Sequence, residues 1–216
     1  MTKTNLLEKL TERNSDIAKL ADQIIEESQW IEKLVGALQV EQNTKKYTYE
    51  KVLRLISEKR PELIYPHFDV FSSLLDHENN FLKWGAVRTI ANLTVVDAGK
   101  KFDAIFRKYF SPIIGPNMIT AGNIMGSSAV IVASKPALVD YITDEILKVE
   151  NAKYELKGQL SPECRNVAIG HAIDAFDKFF DRVGNKAAVI KFVKRQLKNT
   201  RKPVAKRAER FIRRYA

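Results

Sequence analysis

The sequence predicts an all-α protein, and three observations lead there. Apolar residues recur at intervals of three and four, as in Ile17, Leu20, Ala21, Ile24 and Ile25 and again in Val189, Phe192, Val193 and Leu197, which is the period of one buried helix face. No comparable stretch alternates apolar and polar residues with the period of two that marks a half-buried strand. Glycine and proline fall largely between the periodic segments, at Pro61, Gly99, Gly115-Pro116, Pro136, Pro162, Gly184 and Pro203, where they end one helix or open the next. This punctuation divides the chain into about ten short helices.

Taken in order, the helices pair. SDIAKLADQIIEESQWIEKLVGAL reads as a divergent first pair. The next unit begins at Lys46 and includes KVLRLISEKRPELIYPHFDVFSSLLDH, and the one after it is FLKWGAVRTIANLTVVDAGKKFDAIFRKYF from Phe81. MITAGNIMGSSAVIVASKPALVDYITDEIL and CRNVAIGHAIDAFDKFFDRVGNKAAVIKFVKRQL follow, and PVAKRAERFIRRYA closes the chain as a half unit. Each full unit is a helix, a turn with Gly or Pro nearby and a second amphipathic helix, at a spacing of roughly 35 to 45 residues. Between the last two pairs, VENAKYELKGQLSPE (residues 149–163) is the longest interruption and reads as a short extra helix or a loop. With 45% apolar and 29% charged residues over 216 positions, the chain has ordinary globular usage and enough apolar mass for a sizeable core.

The units resemble HEAT repeats, with armadillo repeats as the near neighbour. The best match is Leu82-Lys83-Trp84-Gly85-Ala86-Val87-Arg88-Thr89-Ile90-Ala91-Asn92-Leu93, and Cys164-Arg165-Asn166-Val167-Ala168-Ile169-Gly170-His171-Ala172-Ile173 fits the same template less closely. The third unit departs from it, with Gly122, Gly126, Ser127 and Ser128 crowding its first helix. The resemblance implies one continuous α-solenoid over residues 1–216, a right-handed superhelix of about five helical pairs. Such units bury their apolar faces only against their neighbours, so small residues are expected where helices cross, at Ala86, Gly126, Ala168 and Ala172. The resemblance implies an architecture and no particular activity.

Charge is distributed unevenly. Residues 186–216 carry twelve Lys and Arg against the single acid Glu209, a local charge of +11, while the rest of the chain has 24 bases against 25 acids. In the penultimate helix Lys191, Lys194, Arg195 and Lys198 share one face, opposite Val189, Phe192, Val193 and Leu197. In the last helix Val204, Ala208, Phe211, Ile212 and Tyr215 form the inner side and leave Lys206, Arg207, Arg210, Arg213 and Arg214 to solvent. Arg201 and Lys202 join them in the turn between. These eleven residues are the candidate binding site for a polyanion or an acidic partner, because concentrated cations attract polyanions better than scattered ones. A terminal cap also needs soluble helix formers, but Glu would serve as well as Lys or Arg.

A duplex lying along the whole groove is a poorer fit. The second helices of the units usually line the concave face of such folds, and their candidates alternate in charge: His67, Asp69 and Asp76, then Arg107 and Lys108, then Asp140 and Asp144. One family of alkyl-base DNA glycosylases is built from HEAT-like repeats and uses an aspartate flanked by aromatic rings. Trp30 and Trp84 lie in different units and neither has an adjacent Asp, so that pattern does not map.

Catalytic and metal readings are thin. Cys164 and His171 are two turns apart on one helix, a spacing that helix packing explains better than a nucleophile and its base. His67, His77 and His171 have no metal-ligand spacing, and GPNMITAGNIMGSSA lacks the Gly-Lys-Ser/Thr ending of a phosphate loop. Trp84 reads as a core residue or as a partner anchor. No catalytic residue, metal or cofactor is expected. One cysteine allows no intrachain disulfide, the polar start MTKTNLLEKLTERN carries no signal-like apolar run, and no segment reaches the roughly 18 apolar residues of a membrane span. The resulting expectation is a cytoplasmic, non-catalytic scaffold that binds a protein partner, with nucleic acid as the alternative through the basic cap. No membrane partner and no small-molecule substrate are expected.

Overall fold

A computed structural model describes residue 10 and residues 16–40 and 44–216, and these are mostly helical. The chain start on which the absence of a leader was argued, residues 1–14, lies outside the described residues apart from Leu10. The backbone groups into two compact units, residues 1–103 and 104–216.

In the first unit α1 (Ile17–Glu26) and α2 (Gln29–Val40) pack on α3 (Lys45–Lys59). Pro61 then opens α4 (Pro61–Ile64), where its missing N–H is not needed. A single 3-10 turn leads to α5 (Phe68–Leu74), and both α3 and α5 pack against α6 (Asn80–Leu93). Asn79 caps α6: its Oδ1 accepts from the Phe81 and Leu82 amides at 3.0 and 3.4 Å. Its Nδ2 donates to the Tyr47 hydroxyl at 2.7 Å, which ties the cap to α3. After α6, the buried carboxylate of Asp97 accepts from the Lys101 and Phe102 amides at the start of α7 (Lys101–Phe110). The core of this unit is the apolar stripe of each helix, including Leu34, Val52, Leu53, Ile56, Phe71, Ile90 and Leu93.

In the second unit α8 (Met118–Ser134) and α10 (Pro162–Phe179) form the closest pair, with α9 (Val139–Leu147) between them in sequence. α11 (Lys186–Gln196) and α12 (Lys202–Tyr215) pack on each other, and α12 also packs on α10. Side chains cap most of these starts: Asn117 accepts from Thr120, Ser161 from Cys164 and Asn185 from Ala188. Phe176, Phe179, Phe180, Phe192 and Phe211 are buried together in edge-to-face pairs, with Phe180 and Phe211 centroids 5.1 Å apart.

The structure changes three expectations. Residues 149–163 begin in a short 3-10 helix, Lys148–Asn151, which is the short extra helix expected there, and continue into a hairpin that was not expected, of β1 (Glu155–Leu156) and β2 (Gln159–Leu160). Lys157 and Gly158 turn it with φ of 53° and 78°, the two positive values of a tight hairpin turn. Two-residue strands are too short to show a period of two. Gly158 has open space where a Cβ would stand, so Gly158→Ala is expected to cost only the backbone penalty, about 1 kcal/mol, in a denaturant titration. Close packing between α8 and α10 occurs not at Gly126, which is exposed, but one turn earlier at Gly122, where a Cβ would lie 3.2 Å from the His171 ring. Ala86, Ala168 and Ala172 are fully buried as expected. Leu197 is 38% exposed, and Gln196 takes the inner position beside it at 6%.

Candidate macromolecule-binding surface

The sequence places α11 and α12 by their apolar stripes. Val189, Phe192 and Val193 sink one side of α11, and Val204, Ala208 and Phe211 sink one side of α12. The cations therefore emerge on the opposite sides. The structure divides the eleven predicted residues into two groups.

Four arginines are held by acids from earlier in the second unit. Arg195 donates Nε and Nη2 to Glu150 at 2.7 and 2.5 Å, a two-point pairing that holds its guanidinium above its ordinary pKa. Arg201 pairs with Glu163, Arg207 with Asp174 at 3.3 Å, and Arg214 with Asp177 at 3.4 Å. These residues fix the cap on the body. The turn between the helices is fixed as well: Asn199 donates to Asn166 on α10 at 3.2 Å and accepts from the Arg201 amide at 2.9 Å. Gln196 adds a bond from its Nε2 to Glu150 at 3.1 Å, which accounts for its inward position.

The other seven are Lys191, Lys194, Lys198, Lys202, Lys206, Arg210 and Arg213. All are exposed, and among the described residues none has an ion-pair partner. Lys191 and Lys194 are one turn apart on α11 and Lys198 follows in the turn after it, while the α12 residues are spaced i, i+4, i+8, i+11, which gives one stripe along each. Between α10 and α12 lies a cleft of about 280 Å³, lined by Asp174, Asp177, Arg207, Arg210 and Arg214 among others. Two of its three arginines are already paired with its two carboxylates, so this cleft offers an anion less unpaired charge than the outward stripes, to one of which Arg210 also belongs.

The remaining sequence candidates separate. Cys164 is buried near the start of α10, while His171 faces Gly122 two turns on, and burial followed by the charge of Arg207 lowers the His171 pKa against Asp174. His67 is mostly covered, with Nε2 3.5 Å from Glu32. Asp69 is exposed and pairs with Lys101 at 2.9 Å. Asp76, Arg107, Asp140 and Asp144 are exposed, whereas Lys108 is half-buried. Among the described residues no group of three or more His, Cys, Asp or Glu is arranged to hold a metal.

Trp30 is buried and donates its indole N–H to Glu27 at 3.1 Å. Trp84 is only half-buried and lines a cavity in the first unit with Tyr47, Phe81 and Glu50. Glu50 was missed because a lone acid on an amphipathic helix carries no signal. The glycine at 85, which lies across from it, was the available clue.

Among the described residues no helix is long and apolar enough to cross a membrane. No family model matches the chain, and no curated protein matches it. The crystal structure of an engineered protein is similar over 99% of this chain and 96% of its own, at 15% sequence identity and a TM-score of 0.49.

Proposed function

We propose that the chain is a non-catalytic, HEAT-like scaffold whose helical pairs stack as a right-handed superhelix, and that its basic C-terminal helices hold an acidic macromolecule, first of all a protein. One observation carries the reading: on the last two helices and the turn between them, seven exposed cations have no ion-pair partner among the described residues, while the four other predicted cations are anchored by acids. A cap needing only solubility would not keep its cations so nearly free of intervening acids. Nucleic acid is the second reading, favoured by the regular one-turn spacing of the α12 stripe. The single cysteine agrees with work in the cytoplasm.

Fluorescence anisotropy across a salt series tests both readings, with labelled polyglutamate and labelled single- and double-stranded DNA and RNA. The variant carries Lys191→Gln, Lys194→Gln, Lys206→Gln and Arg210→Gln, none of which breaks an ion pair seen above. Binding is expected to weaken steeply with salt. For duplex DNA the slope should flatten by about 0.9 for each phosphate contact removed, so by three to four in the variant if all four residues make contact. Tight binding of polyglutamate with weak binding of nucleic acid favours the protein partner, and the reverse favours nucleic acid. No binding of any probe near physiological salt rejects the cap as a polyanion surface.

A further inference from the structure

In the first unit a cavity of about 460 Å³ opens between α3 and α6, within the range of small-molecule sites. One wall is aromatic. Phe81 stands edge-on to Tyr47 at 5.9 Å and to Trp84 at 5.4 Å, and Phe81 is 65% exposed. The other wall is charged: Arg54 and Lys51 come from α3, and Arg88 from α6.

Glu50 belongs to this lining and is only 7% exposed. Arg54 Nε lies 3.3 Å from its Oε1, but that buried oxygen accepts no hydrogen bond. Arg54 also donates to Glu58 at 3.2 Å, so its charge is shared between two acids. Opposite the carboxylate is Gly85, where a Cβ would stand 2.0 Å from Glu50 Oε1. A glycine inside a helix and a buried acid with an unused acceptor each weaken the fold. Gly85 makes the room that the Glu50 carboxylate fills against α6, and paired departures from local stability of this kind mark functional sites.

Charge selects the ligand. The lining carries Lys51, Arg54 and Arg88 against Glu50, and with Glu58 also drawing on Arg54 the bases still outnumber the acids three to two, so an anion is favoured over a cation. The rings suit a flat π-system, and the exposed Lys51 and Arg88 suit a phosphate. We propose that this cavity binds a free nucleoside monophosphate, the base against Phe81 and Trp84 and the phosphate toward Lys51 and Arg88. The site lies within the first unit and does not depend on the basic cap.

The test is isothermal titration calorimetry of the full chain bearing the four cap substitutions, so that anions on α11 and α12 do not contribute. The probes are AMP, GMP, CMP and UMP, with inorganic phosphate and a single-stranded oligonucleotide as controls. At least one mononucleotide is expected to bind, more tightly than phosphate, and Phe81→Ala and Arg88→Gln are each expected to weaken it tenfold or more. Both residues are exposed, and an unchanged melting curve separates lost binding from lost folding. Chemical-shift changes on the ligand's addition should centre on α3 and α6. The proposal is overturned if no mononucleotide binds at millimolar concentration, if phosphate binds as tightly, if only the oligonucleotide binds, or if Phe81→Ala leaves affinity unchanged. None of these outcomes bears on the cap, which the anisotropy series tests by itself.

Discussion

Glu50→Gln is expected to leave stability almost unchanged near pH 4 and to raise it by up to about 3 kcal/mol at pH 8. Burial pushes the Glu50 carboxyl up from 4.5 to about 7, against the opposing pull of Arg54 and Arg88 and with a small push from Glu58. The folded state therefore keeps a proton that the unfolded chain has already released between those two values. Over that window the folded state binds more protons, so stability falls as pH rises, and it levels off above about 7. Below 4.5 the group is protonated in both states and contributes nothing to the difference.

Glutamine has the same size and carries no charge, so it removes this slope. Breaking a buried ion pair usually costs several kcal/mol because the partner is stranded. Here Arg54 keeps Glu58, and its side chain retains 16% exposure, so the loss of the buried charge dominates. Urea titrations of both proteins at pH 4.5, 6 and 8 measure the effect. A difference that does not grow with pH would mean that Glu50 is ionised and well paired in the folded state.

Asp97→Ala is expected to cost about 3 kcal/mol, since a buried carboxylate and its donors lose each other together. Asp97 is 8% exposed. Its Oδ1 accepts from the Lys101 amide at 2.8 Å and from the Tyr65 hydroxyl at 2.6 Å, and its Oδ2 accepts from the Phe102 amide at 3.0 Å. The residue thus satisfies two amides at the start of α7 and ties that start to the turn between α4 and α5. Tyr65→Phe removes the hydroxyl's bond to Oδ1 and should cost about 1 kcal/mol. The denaturant midpoint reports both changes, and a loss below 1 kcal/mol for Asp97→Ala would show that water replaces the carboxylate.

Much of the fold was legible because it is written locally. Pro61 and Pro162 stand at helix starts, Pro203 lies in the first turn of α12, and Gly99 and Gly184 precede α7 and α11. A fixed φ and a missing donor act within a turn of their position. The buried stripes of α1 and α12 followed for the same reason, since side-chain direction in a helix depends on its period alone. The departures are equally physical. Leu197 and Gln196 differ by one position, and a partner on another segment, Glu150, draws Gln196 inward. The position in α8 that needs to be small is Gly122, because contact with His171 and not the count of small residues decides it.

The candidate surface divides along the same line. That residues 186–216 are basic, and that their cations lie opposite the apolar stripes of α11 and α12, follows from the order of the amino acids and the period of a helix. Which cations are free does not. Arg195 meets an acid 45 residues away and Arg201 one 38 residues away, and no local pattern records such distances. The cavity is more extreme: Tyr47 and Glu50 belong to one helix and Phe81, Trp84 and Gly85 to another. Sequence alone determined the helices, their buried faces and the basic cap, because each depends on neighbours within a few residues. The tertiary structure decided which charges are neutralised and where a carboxylate meets aromatic rings, because Coulomb attraction, packing and burial depend on distance in space.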